Sequence, residues 1–142
     1  MNSFLMKQII IILLLFTIIV GYSQMKVNYK DIEARNGLMY LKGEKKPYTG
    51  KCYTTYENGK LGMGGSYVNG KMDGDWIWWY ENGQKKRYTQ YKNGVKQGKS
   101  IYWYKNGIKK SEIIYDNNRN IRQISYNKNG ENIANPSMKK FR

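Results

Sequence analysis

Histidine is absent from this 142-residue chain. That removes the usual general base, the Ser-His-Asp and Cys-His nucleophilic pairs, and the commonest metal ligand. Cysteine occurs once, as Cys52. One thiol closes no intramolecular disulfide and builds no Cys-based zinc site. Acidic residues are scarce, ten against 25 basic ones. One tight pair is Asp73-Gly74-Asp75, which fits no EF-hand spacing and reads as turn residues. No nucleophile has an activating base nearby in the pattern, so we expect no enzyme, no metal and no cofactor.

Long apolar runs are also missing, with one exception. Ile9 to Val20 is greasy, follows Lys7 and precedes Gly21-Tyr22-Ser23. A span needs about 20 apolar residues, so this run is short for an anchor and reads as a secretory leader, residues 1–23. An uncleaved anchor is the competing reading. The expectation is an exported chain in the periplasm, cell envelope or medium. Cleavage would remove only Lys7 from the charge, leaving 24 basic and 10 acidic residues, a net +14.

Aromatics are plentiful, with 14 Tyr and 4 Trp, and they recur on a fixed period. The chain reads G-KCYTTY-ENG from Gly50, G-DWIWWY-ENG from Gly74 and G-KSIYWY-KNG from Gly98. Each copy carries Tyr56, Tyr80 or Tyr104, then Asn58-Gly59, Asn82-Gly83 or Asn106-Gly107. A second set interleaves: Tyr67-Val68-Asn69-Gly70, Tyr91-Lys92-Asn93-Gly94 and Tyr115-Asp116-Asn117-Asn118. Such a period marks a stacked repeat, here two strands and two turns per copy. Asn-Gly favours tight type I′ hairpins. We therefore expect a tight turn at Glu81-Asn82-Gly83-Gln84, pairing Tyr80 with Lys85, Trp79 with Lys86 and Trp78 with Arg87. Trp76, Trp78 and Tyr80 would share one face and Ile77 and Trp79 the other. The Asn93–Gly98 connection is expected to be wider, with Gly98 at positive φ or a close backbone approach. Cys52 occupies the strand slot of Trp76 and reads as a buried small residue.

The resulting expectation is an all-β fold, an elongated antiparallel meander of about four tandem 24-residue hairpins in a single layer. Neighbouring hairpins would be tied by a continuous aromatic stripe. Residues 24–47 form a lead-in or cap, 48–130 the repeat domain and 131–142 a polar tail. The copy around Asn118 to Asn127 is degenerate, two residues short and without a glycine at the Gly98 position.

These residues resemble the MORN-type repeats, and more closely the variant of the YwqK-like antitoxin family. The pattern is carried by Gly74-Asp75-Trp76-Ile77-Trp78-Trp79-Tyr80-Glu81-Asn82-Gly83-Gln84, by Tyr91-Lys92-Asn93-Gly94 through Gly98, and by Pro47-Tyr48-Thr49-Gly50. The W-x-x-Y element is complete only in the middle copy. The resemblance implies an all-β repeat scaffold and no single activity; MORN-type repeats are linked to lipid binding and to protein scaffolding, and the antitoxin label to neutralisation of a toxin partner.

The charge is uneven. Residues 82–111 hold nine basic residues and no acid: Lys85, Lys86, Arg87, Lys92, Lys96, Lys99, Lys105, Lys109 and Lys110. With Trp78, Trp79 and Trp103 they form the candidate binding set. A field of this density attracts anionic partners. Acidic protein, lipid headgroups at a membrane surface and anionic glycans all fit, whereas export argues against nucleic acid despite the aromatic-cation mixture. Three functions stay open: a binding or scaffolding module for an acidic partner, an antitoxin-type protein, and a spacer whose lysines keep sheet edges from pairing.

Overall fold

The computed structural model describes residues 26–133. The predicted leader (1–23) and the tail from residue 134 lie outside the described residues. Eleven strands form among these residues: β1 Lys26–Asn28, β2 Ile32–Arg35, β3 Leu38–Leu41, β4 Gly50–Thr55, β5 Leu61–Val68, β6 Lys71–Trp79, β7 Lys85–Lys92, β8 Val95–Trp103, β9 Lys109–Asp116, β10 Arg119–Tyr126 and β11 Asn132–Ile133. Among the described residues there is no α-helix, only a 3-10 turn at Tyr29–Asp31. Nine strands make one sheet in the order β1-β4-β5-β6-β7-β8-β9-β10-β11, and β2-β3 is a separate hairpin. From β4 onward every neighbour is antiparallel and consecutive, the expected meander. The lead-in departs from it. β1 runs parallel to β4, with Val27 opposite Cys52. The β2–β3 hairpin between them supplies the long connection that parallel pairing needs.

The two turns of each repeat are the reverse of the expectation. Asn93-Gly94 is the tight one: both residues have positive φ (50° and 85°), and Lys92 pairs with Val95 directly across it. Asn69-Gly70 and Asn117-Asn118 behave alike. Glu81-Asn82-Gly83-Gln84 is instead wider. The Gly83 amide donates to the Tyr80 carbonyl, the Tyr80 amide to the Gln84 carbonyl, and only Gly83 has positive φ. Asn82 keeps φ negative because its Oδ1 accepts from the Gln84 amide, so the dipeptide serves as a side-chain-closed turn. The register shifts accordingly. Trp78 pairs with Arg87 as expected, but Trp79 pairs with Lys85, and the expected Trp79–Lys86 and Tyr80–Lys85 pairs do not form. Lys86 is the extra residue of a bulge, and Tyr80 leaves the strand for the turn.

Gly74 and Gly98 sit in wider bulges, at φ +76° and +92°. On β6 the residues Gly74, Asp75 and Trp76 stand against Gly65 alone. On β8 Gln97, Gly98 and Lys99 stand against Gln90. Nothing lies within 4 Å of a Cβ built on Gly74, so the backbone angle, not space, demands glycine there. On β10 only Ile121 is extra. That smaller bulge accounts for the missing glycine in the fourth copy. It also corrects the count: the wide turns end at Gly59, Gly83, Gly107 and Gly130, so the last copy is one residue short, not two.

One face of the sheet is covered. A row across it reads Cys52, Gly65, Trp76, Thr89, Ser100, Ile113. Trp76 and Ser100 are fully buried, and Cys52, Thr89 and Ile113 nearly so. Trp76 packs edge-on to Tyr67 at 5.0 Å and stacks near Trp78 at 5.8 Å, while its Nε1 donates to the Ser66 carbonyl. Ile32 and Tyr48 of the lead-in close this cluster, making residues 26–48 a lid on its first end. Burial pushes the Cys52 thiol up to about 11, so it stays an inert apolar filler. Beyond Trp76 the expected aromatic stripe is interrupted. Thr89 and Ser100 take its place and satisfy each other at 2.5 Å.

A candidate binding surface on the second and third hairpins

The two turn types bind neighbouring copies together. At the wide turns the Tyr56 hydroxyl donates to the Trp79 carbonyl, Tyr80 to Trp103 and Tyr104 to Tyr126, at 2.7–2.9 Å. Asn58, Asn82 and Asn106 each donate an amide proton to the next wide turn, at Glu81, Lys105 and Lys128. At the tight turns the side chain before each repeat glycine accepts from the following turn: Thr49 from the Asn69 amide, Asp73 from Asn93 and Gln97 from Asn117. Asp73 and Asp75 are therefore strand residues of β6 rather than the turn residues expected, with Gly74 in the bulge between them; the Asp73 carboxylate serves the next tight turn and also pairs with Lys92 at 3.6 Å. The glycines, Tyr and Asn of the repeat are accounted for by this scaffold. It pins the backbone from which the candidate residues project.

The nine basic residues do not form one patch. Arg87 lies on the covered face, half-buried, its guanidinium 3.4 Å from the Trp78 ring centroid. Its Nε is buried without a hydrogen-bond partner. Lys96 stands over Tyr115 at 4.8 Å. The bulge residues Lys86 and Lys110 stand 5.7 Å from the rings of Tyr80 and Tyr104. Lys105 occupies a wide turn and Lys92 the rim of a tight one. Lys85, Lys99 and Lys109 lie on the opposite, open face. Period-2 alternation makes this division inevitable, because strand neighbours point to opposite sides.

Three of the nine are paired with acids. Lys92 meets Asp73, and Glu112 sits between Lys99 at 3.3 Å and Lys109 at 2.8 Å. The hydrogen bond from Lys109 holds the Glu112 carboxyl below its usual value and the Lys109 ammonium above its own. Among the described residues the other six have no acidic side chain within 4.0 Å: Lys85, Lys86, Arg87, Lys96, Lys105 and Lys110.

Of the three indoles, Trp78 is on the covered face and Trp79 and Trp103 are on the open one. Trp79 stands between two grooves. The first, about 460 Å³, is lined by Tyr53, Leu61, Gly64 and Ile77. The second, about 520 Å³, lies between Trp79 and Trp103 and is lined by Asn82, Gly83, Gln84, Lys85 and Gly107. Sequence reasoning named Trp79, Lys85 and Trp103 as binding residues and gave Gly83 and Gly107 to the repeat turns, but missed the groove that these five residues share. The signal was there: Gly83 and Gly107 are one period apart. Among the described residues no three Cys, Asp or Glu side chains are grouped to hold a metal ion. Compared with known proteins, the chain matches no family model, no curated protein and no solved structure.

Proposed function

We propose that this chain is a non-catalytic, exported MORN-type binding module that docks an acidic partner through its second and third hairpins. One observation carries the reading. Six of the nine cations in residues 82–111 lack an acidic partner among the described residues, and four of these six (Lys86, Arg87, Lys96 and Lys110) stand over aromatic rings. A cation held over a ring is restricted in geometry, so less freedom is lost when an anion arrives. The hydrogen bonds that tie the copies together use none of these side chains, and of the four Arg87 is also packed into the covered face, against Trp78.

The test is retention of purified protein on phosphatidylserine vesicles, poly-glutamate and a uronate polysaccharide, each beside a neutral counterpart. Retention on an anionic surface should fall steeply with salt. Reversal of exposed Lys85, Lys86 and Lys105 to Glu should weaken it at least tenfold, while reversal of Lys42, Lys45 and Lys46 should change it little. Arg87 is left intact, because reversing it would unseat Trp78. Equal retention on neutral and anionic surfaces overturns the proposal.

A further inference from the structure

The open face carries a regular row that the basic block as a whole conceals. From β5 to β10 its wide-turn side reads Leu61, Trp79, Lys85, Trp103, Lys109, Tyr126. Trp79 pairs with Lys85, Trp103 pairs with Lys109, and Lys109 stands 5.9 Å from the Tyr126 ring. From β6 to β10 aromatic and cation alternate strand by strand, while Leu61 holds the equivalent of the lysine position in the first copy. Equivalent positions are two strand spacings apart, about 9.5 Å. Each aromatic is fixed by its own backbone, since the Trp79, Trp103 and Tyr126 carbonyls accept the tyrosine hydroxyls of the preceding copy. The tyrosine stitch therefore spaces the row as well as the sheet.

We propose that this row binds an extended acidic polysaccharide bearing one carboxylate per disaccharide. The inference deepens the proposed docking of an acidic partner and rests on it. The apolar face of a pyranose ring stacks on an indole, and a carboxylate meets a lysine. A linear glycan whose sugars alternate charged and neutral presents both on a disaccharide repeat comparable to the row's spacing. The Trp79–Trp103 groove, lined also by Lys85, Gly83 and Gly107, has room for a sugar ring in its volume of about 520 Å³. Gln84 offers an amide nitrogen and a carbonyl to sugar hydroxyls there. The charge density selects among anions. One lysine per about 9.5 Å suits one carboxylate per two sugars, whereas a duplex nucleic-acid strand has a phosphate about every 3.4 Å. Glu112, beside Lys109, lowers the density further and disfavours a crowded polyanion.

The experiment is titration of the protein with hyaluronan oligosaccharides, which alternate glucuronate with a neutral sugar, read by tryptophan fluorescence and calorimetry. Dextran, phosphatidylserine vesicles and single-stranded DNA serve as comparisons. The expected result is binding to hyaluronan at least tenfold tighter than to dextran. W103A should lose at least tenfold, W103F should recover part of it, and K85Q should weaken binding and flatten its salt dependence. Circular dichroism checks folding, and exposed Lys85 gives a variant that leaves the core untouched. Hyaluronan binding indifferent to W103A but abolished by K85E would be plain ion exchange and would overturn the inference. Binding to vesicles, DNA or poly-glutamate with none to hyaluronan overturns it while leaving the acidic-partner reading standing. Failure on every anionic surface overturns both.

Discussion

Gly64 and Gly65 are adjacent and unlike. A Cβ on Gly65 would lie 2.1 Å from the Trp76 ring, and Trp76 is fully buried with no room to retreat. A Cβ on Gly64 would meet Trp79 at 3.7 Å, an ordinary contact. Gly65→Ala should therefore cost about 3 kcal/mol, as forced overpacking does. Gly64→Ala should be neutral or stabilise by up to ~1 kcal/mol, since alanine restricts the unfolded chain. Chemical denaturation of the two variants checks the pair. Neither outcome was legible in Leu61-Gly62-Met63-Gly64-Gly65, because the reason lies eleven residues away in the partner strand. The Trp78–Arg87 contact was legible, since pairing near a turn follows from counting outward. Lys85 and Lys86 were misplaced by the same count, because one bulge residue shifts everything on its turn side.

Each hairpin contains two turns built from the same dipeptide, Asn-Gly, in different conformations. At Asn93-Gly94 the backbone takes positive φ twice and the strands close at once. At Asn82-Gly83 the asparagine side chain is spent on closing the turn and on reaching the next copy. Dipeptide identity could not separate the two. What separates them is the aromatic two residues earlier, whose hydroxyl at Tyr56, Tyr80 or Tyr104 finds a carbonyl 22 or 23 residues on. Tyr67 and Tyr91 pack instead against the buried indole of Trp76. Tyr80→Phe should cost about 1 kcal/mol, the net worth of one such bond. On a domain of this size that lowers the melting temperature by roughly 4–8 °C. Tyr56→Phe and Tyr104→Phe should behave alike. Combining them should add, because the sites share no partners. Melting curves of the single and triple variants read this directly.

At the scale of the described residues as a whole, the repeats form a one-dimensional stack with a direction. Donors at the wide turns point forward, each copy to the next. In the fourth copy Asn127 replaces the tyrosine, donating to its own Glu131 and accepting from Asn129 and Glu131. The forward donor is gone, so this turn caps the array, as terminal repeats do. A stack of this kind tolerates removal of a whole period. Deleting residues 83–106 joins Asn82 to Gly107 and preserves the wide turn. It removes Thr89 and Ser100 together and sets Ile113 beside Trp76. The shortened protein should keep its β-sheet circular dichroism and melt cooperatively at a lower temperature. Deleting 83–105 instead shifts the alternation by one residue, turns the following strands inside out, and should abolish cooperative folding.

The amino-acid sequence by itself determined the class, the period and the order of strands from β4 onward. Glycine, tyrosine and asparagine recurring every 24 residues, with aromatics between them, admit little except consecutive antiparallel hairpins. It also located the excess of positive charge, which is a matter of counting. Only the tertiary structure decided which turn is tight, which face each cation takes, and that an alternating row of indoles and lysines lies on the open side. Those depend on bulges, and a bulge is settled by contacts across strands. Trp76 lying over Gly65 and a tyrosine hydroxyl reaching the next copy are interactions between residues that strand-local patterns cannot bring together.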